Sequence, residues 1–229
     1  LTQVNQARAI ALGVEHFRTL RPYCMGTIVW QLNDCWPVTS WSAVDGAGRR
    51  KPLWHALKRA YADRLLTVDE QQAVLVNETA QPWHTTVTIR RSTLDGKHQA
   101  EAATPITVEP YGKAEVSVQD AVPKDPRTEV LWAEADGERA WWFYAEDKDM
   151  AYPRAEYDAT LDGTGTKLTV TARTFLRDLT LYPDRLDPAA ETDDALRTLF
   201  PGESVTFTLT RPIADGALTR KPVLRCVND

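Results

Sequence analysis

Long apolar runs, a basic excess and a supply of cysteines are all missing from this chain of 229 residues. No stretch is apolar for the roughly 20 residues that a membrane-spanning helix needs. Lys and Arg number 27 against 32 Asp and Glu, a formal charge of −5, and the longest basic run is Arg49–Lys51. That leaves no basic stripe for a nucleic acid. Three cysteines are too few for a disulfide scaffold or a four-thiolate zinc site. Cys24 and Cys35 flank an apolar run whose ends lie too far apart for a disulfide. Both read as free, buried thiols, and Cys226 has no clear partner. His16, His55, His84 and His98 are scattered, with no Cys or carboxylate at ligand spacing. Neither a metal nor a cofactor is expected. No Met and no signal-like segment open the sequence, whose first residues already follow a helical pattern. It reads as a piece of something longer.

Tryptophan, by contrast, is plentiful: eight, against five Phe. Leu1, Val4, Ala7, Ile10, Ala11, Val14, Phe17 and Leu20 recur at helical spacing, predicting a helix over 1–22 that ends at Arg21-Pro22. Gly26–Leu32 is short, β-branched and nearly all apolar, as in a strand buried on both faces. A turn-rich stretch follows, with Pro37 and Asp45-Gly46. Pro52 then opens a short helix over 52–62, with Leu53, Trp54, Leu57 and Tyr61 on one face and Trp54 read as core. A single strand cannot make a sheet, so 1–63 reads as part of a larger α/β domain.

From residue 64 the texture is β. Runs at 65–68, 73–76, 85–90, 106–108, 114–118, 129–133 and 140–144 match the roughly seven strands of a sandwich. A second set lies at 156–161, 167–172, 176–181, 204–209 and 222–226, with a short helix near Asp194–Phe200. The expected division is 1–63, 64–147 and 148–229. Strand alternation puts Trp141 and Phe143 on one face and Trp142 and Tyr144 on the other, one of which must be core. Together with Trp83 and Trp132 they could also form a sugar platform. Asn77-Glu-Thr79 matches a glycosylation sequon, a weak tripeptide signal.

Trp30, Trp36 and Trp41 lie close together in sequence, with Asn33 and Asp34 between the first two. At the C-terminal end of a parallel barrel strand, indole faces against sugar C–H groups and amide or carboxylate groups for hydroxyls would make a carbohydrate site. The plain alternative is that the tryptophans plug a barrel mouth. Asp34, a lone carboxylate beside tryptophans, reads either as a general base or, as is commoner, as a loop cap that accepts backbone N–H bonds. Trp36 and Trp41 divide evenly between ligand rim and loop packing.

The run from Gly26 to Ser42, GTIVWQLNDCWPVTSWS, the Asp45-x-x-Gly48-Arg-x-Lys51 after it and Glu15-His-Phe-Arg18 before it resemble the β-mannosidases of glycoside hydrolase family 2. More loosely, Asn77 with Pro82-Trp83, Thr93-Leu-Asp-Gly96, Arg177-Asp-Leu179 and Pro201-Gly-Glu-Ser204 are similar to their C-terminal domains. The resemblance implies a mainly β chain: two immunoglobulin-like β-sandwiches after the last helix–strand–helix portion of an incomplete (β/α)8 barrel. It implies a retaining exo-acting hydrolase that removes terminal non-reducing β-D-mannose from glycans. Trp30, Asn33, Asp34 and Trp36 would be substrate-binding. Neither catalytic glutamate motif of the family has a match here, so no catalytic residue is assigned and the chain alone is expected to be inactive. The expected partners are a β-mannoside and the barrel and β domains of the same polypeptide, with no nucleic acid and no membrane. In related barrels the peptide after such a Trp is often cis, which makes Trp30-Gln31 a candidate. The alternatives are an exo-β-glucosaminidase of the same family and a non-catalytic β-sandwich that binds carbohydrate or protein.

Overall fold

A computed structural model describes residues 2–214 and 216–229. Leu1, the first residue of the helical pattern, lies outside the described residues. Among the described residues there are two α-helices, α1 (Thr2–Thr19) and α2 (Pro52–Ala60), and the remaining long elements are antiparallel strands. The chain divides into two compact units: 12–27 with 59–152, and residues up to Ala11 with 28–58 and 153–229.

The first unit holds a sandwich. Strands β1 (Arg64–Val68), β2 (Gln72–Asn77) and β5 (Lys113–Ser117) form one sheet in the order β1-β2-β5. Strands β3 (Trp83–Thr93), β4 (His98–Val108), β6 (Glu129–Ala135) and β7 (Glu138–Trp142) form the other in the order β4-β3-β6-β7. Period-two alternation sends Leu66, Val68, Val87, Ile89, Leu131 and Ala133 into one core. Trp142 and Tyr144 pack against that core, as the alternation predicts for one of the two aromatic pairs. Trp141 instead stacks on Trp132 and Phe143. Trp132 is buried, with the Arg90 and Arg139 guanidiniums each 4.7 Å from its ring centre. Those charges over the ring faces are cation–π contacts that close the position from above.

Sheet β1-β2-β5 is buried on its second face too, at Leu65, Val74 and Val76. The later turns of α1 reach this sheet: the Thr67 hydroxyl donates to Glu15 at 2.9 Å, and Lys113 donates to the Thr19 carbonyl at 2.7 Å. Burial pushes the Glu15 carboxyl above its usual range, against the opposing pull of Thr67 and nearby arginines. The helix buries Val4, Ala7, Val14 and Arg18 but leaves Phe17 exposed.

Asn77, the sequon residue, is fully buried. Its amide donates to the carbonyls of Gln81 at 2.8 Å, Val108 at 3.1 Å and Glu109 at 3.2 Å. Its oxygen accepts from the Thr79 N–H and hydroxyl at 3.0 and 2.7 Å. It is a staple between β2 and the end of β4, and the folded chain offers no glycan acceptor there. Removing its side chain strands these partners, at about 1–3 kcal/mol for each that is buried. Asn77→Ala is therefore expected to cost about 2–3 kcal/mol in urea unfolding, and an unchanged midpoint would contradict the staple.

The second unit holds β8 (Tyr157–Leu161), β9 (Lys167–Ala172) and β12 (Ser204–Thr208) in the order β12-β9-β8. Facing residues come from β10 (Leu176–Leu181), β11 (Arg197–Leu199) and β13 (Leu224–Arg225), ordered β11-β10-β13. Leu168, Val170, Leu176, Leu179, Phe207 and Leu224 lie in one core. Thr169 and Thr171 face away and bond across to Thr206 and Ser204 at 2.9 and 2.8 Å. The register of β10 shifts between Leu176 and Leu179, and Asp178 there has φ 50°. This bulge presents Asp178 to Arg8, whose Nε lies 2.5 Å from Oδ2.

Four expectations are corrected. Gly26–Leu32 is not a strand and is not buried: Ile28 is 97% exposed and Leu32 is 60% exposed. A strand needs laddered neighbours, and no described strand pairs with 26–32. Asp194–Phe200 is not helical; it contains β11, entered through Leu196 at φ 59°, a left-handed conformation that does not continue a helix. Cys24 is half-buried and Cys35 is exposed, although both thiols are free and only Cys226 is buried. On α2 the buried face is Leu53, Ala56, Leu57 and Ala60. Trp54 is half-buried beneath the Arg50 guanidinium, 4.1 Å from its ring centre, and Tyr61 is exposed.

Candidate functional site

The tryptophan-rich loop is built on a small set of backbone bonds within the second unit. Ala43 N–H donates to the carbonyls of Gln31 and Leu32 at 3.2 and 3.0 Å, and Val44 N–H to Leu32 at 2.8 Å. Asp34 N–H donates back to Val44 at 3.0 Å, and Lys51 N–H to Ala43 at 2.9 Å. Residues 31–34 are thereby tied to 43–44 and 50–51. The Trp30-Gln31 peptide is cis, as the resemblance led us to expect.

The next turn is held by Asp45, whose Oδ1 accepts from the N–H groups of Ala47 at 2.9 Å and Arg49 at 3.0 Å. Its Oδ2 takes the Arg49 Nε–H at 2.7 Å. Gly48 has φ +83°, where a side chain is disfavoured. Gly46 lies against the Trp36-Pro37 peptide so closely that a Cβ on it would come within 2.5 Å of the Trp36 carbonyl. Only glycine fits there, and it fixes how far the Trp36 backbone can settle.

The loop sorts its side chains sharply. Trp30 is 75% exposed, Trp36 62% and Trp41 60%. Asn33 is exposed, its amide resting on the Asp34 carbonyl at 3.2 Å. Asp34 turns the other way, its side chain only 2% exposed. Ser40 Oγ lies 2.7 Å from both carboxylate oxygens, Ser42 Oγ donates to Oδ2 at 2.7 Å, and Gln31 Nε2 donates to Oδ1 at 3.2 Å. Lys51 Nζ stands 3.9 Å from Oδ2 and donates to Ser42 Oγ at 2.9 Å. The Ser42 and Ser40 hydroxyls, with smaller contributions from Gln31 and Lys51, hold the Asp34 carboxyl below the usual range.

Trp30, Asn33 and Trp36 thus share the exposed side chains of one loop, and Asp34 does not join them. The sequence reading missed Ser40, Ser42 and Lys51. The signal was a pair of hydroxyls two apart, followed by a lysine at the end of the Asp45-x-x-Gly48 turn. Among the described residues no group of three or more His, Cys, Asp or Glu side chains is gathered as for a metal ion.

No family model matches the chain. Over 62 residues it is 44% identical to β-mannosidase B of Emericella nidulans and to β-mannosidase B of Aspergillus niger, covering 26% of this chain and 7% of each of those proteins. In fold it matches the β-D-mannosidase of Dictyoglomus thermophilum with a TM-score of 0.79 at 22% identity, over 99% of this chain and 29% of that one. It matches the Amycolatopsis orientalis exo-chitosanase with a TM-score of 0.65 at 18% identity, over 90% of this chain and 31% of that one. The chain therefore spans less than a third of the length of any of these proteins. In sequence over the matched stretch, and in fold throughout, the chain resembles the C-terminal part of a β-mannosidase-like glycoside hydrolase of family 2.

Proposed function

We propose that this chain is the C-terminal portion of a retaining, exo-acting β-mannosidase, and that Trp30, Asn33 and Trp36 help to form its sugar site. The observation that carries the reading is the sorting of the loop, with indoles and an amide outward and the carboxylate inward. An indole face suits the C–H face of a pyranose, and a neutral amide suits its hydroxyls. In this reading residues 1–63 complete a barrel supplied by the rest of the polypeptide, and 64–147 and 148–229 are its two sandwich domains.

The bond-breaking carboxyls belong to that remainder. Retaining hydrolysis needs two carboxyl groups about 5–5.5 Å apart. No glutamate occurs between Glu15 and Glu70. The two aspartates of the loop are both engaged, Asp34 by serines and Asp45 by Arg49.

The rival substrate is a β-glucosaminide, favoured by the fold shared with an exo-chitosanase. Glucosamine carries an ammonium group, which a site would pair with a carboxylate. This loop presents none, and that supports mannose. The test is kcat/KM of the full-length polypeptide on aryl β-mannoside and aryl β-glucosaminide. A preference of at least about tenfold for the mannoside, roughly 1.4 kcal/mol in the transition state, is expected. A reversed preference assigns the chain to the glucosaminidases, and no hydrolysis of either leaves a non-catalytic sandwich protein.

A further inference from the structure

We propose that Asp34, Ser40, Ser42 and Lys51 form a buried clamp that positions Trp30 and Trp36, and that Asp34 does not itself contact the ligand. The proposal rests on the reading of this loop as a sugar site. A carboxylate in sequence between two exposed tryptophans is an obvious candidate for a sugar hydroxyl. Its geometry assigns it another task.

Both oxygens are already occupied. Oδ1 receives Gln31, Oδ2 receives Ser42, and the single Ser40 hydroxyl hydrogen, 2.7 Å from both oxygens, is shared between them, with the Lys51 ammonium 3.9 Å away. A carboxylate has about four acceptor sites; three donors and a nearby ammonium serve these, and the side chain is only 2% exposed. The Lys51 ammonium is itself anchored, to Ser42 Oγ at 2.9 Å and to the Ser40 carbonyl at 3.2 Å. Ser42 is fully buried and the Lys51 side chain is only 12% exposed. A buried carboxylate with a nearby cation and hydroxyl donors is a satisfied group, whereas one turned outward would leave Lys51 and both serines behind.

The mechanical consequence follows from the chain path. Asp34 lies two residues before Trp36 and four after Trp30, and its own N–H is bonded to Val44. Gly46 packs directly against the Trp36 carbonyl. Fixing the Asp34 side chain therefore fixes the backbone from which both indoles project. Ser40, Ser42 and Lys51 are positioning residues by the same route.

The test uses the full-length polypeptide labelled with 5-fluorotryptophan and read by fluorine NMR, with lines assigned through single Trp→Phe variants. Asp34→Asn and Lys51→Met are each expected to shift and broaden the Trp30 and Trp36 lines. The Trp83 and Trp132 lines, which report the β1–β7 sandwich, should stay in place. Lys51→Arg, which keeps the charge, should restore the wild-type lines. If Asp34→Asn unfolds the chain, all the lines collapse together, and Ser42→Ala then serves as the milder variant. Trp30 and Trp36 lines that stay unmoved in Lys51→Met and Ser42→Ala overturn the clamp. The substrate assays test the sugar reading separately, so the two can fail independently.

Discussion

Trp30→Ala in the full-length polypeptide should lower kcat/KM on an aryl β-mannoside by two orders of magnitude or more, about 2.7 kcal/mol of transition-state stabilisation, with little change in melting temperature. Trp30 is 75% exposed, so truncating it removes little packing within this chain. On the proposed reading, what it removes is the aromatic surface offered to the sugar. Trp54→Ala should do the reverse. Trp54 is half-buried on α2 under Arg50, with Lys58 6.0 Å from its ring centre. Its loss should cost packing and a cation–π contact, about 1–3 kcal/mol of stability, and leave kinetics per folded molecule unchanged. Steady-state kinetics and a thermal melt on both variants separate the two roles. Equal kinetic losses would place Trp30 with Trp54 as a structural residue.

Removing Arg8 should be costly to the second unit. Asp178 is buried on the β10 bulge, with Arg8 at 2.5 Å, Arg177 at 3.5 Å and the Thr198 hydroxyl at 3.3 Å. Breaking a buried pair by deleting one partner typically costs about 3–5 kcal/mol. The Arg8 side chain is 28% exposed, so Arg8→Met should fall at the low end, about 3 kcal/mol. The pH dependence has a definite sign. Burial opposes ionisation of Asp178, but Arg177, Arg8 and Thr198 outweigh it, and its carboxyl is held below the usual range. Its contribution is then present above the unfolded value, near about pH 3.9, and is lost as pH falls through the depressed folded value. Urea unfolding of wild type and Arg8→Met should show a gap that is full at pH 7 and narrows below about pH 3.9. A gap that stays constant into acid would mean that Arg8 contributes packing and not charge.

The strands were legible because their signal is local. Alternation in Thr85–Arg90 or Lys167–Ala172, and the short apolar run Leu65–Val68, are written into neighbouring residues, and each of these runs lies within an observed strand. Gly26–Leu32 carries the same composition without the same outcome, because strand identity there depends on hydrogen-bonding neighbours that a run of residues cannot specify. Asp194–Phe200 misled for a related reason: Leu199 and Phe200 are buried in the second unit, and apolar residues so few in number do not distinguish a helix turn from a strand end. At the site, the exposed tryptophans could be read as a group, and the cis Trp30-Gln31 peptide was legible only through the family resemblance. The inward turn of Asp34 could not be read, since its meaning lies in Ser40, Ser42 and Lys51, which meet it only in three dimensions.

The central claim is that this chain carries part of a sugar site but not the groups that break the glycosidic bond. It is tested most directly by assaying the purified 229-residue chain beside the full-length polypeptide on the same aryl β-mannoside. The account predicts saturable hydrolysis by the full-length polypeptide and no turnover above buffer by the chain alone. Saturable hydrolysis by the chain alone, at a rate near that of the full-length polypeptide, would contradict it.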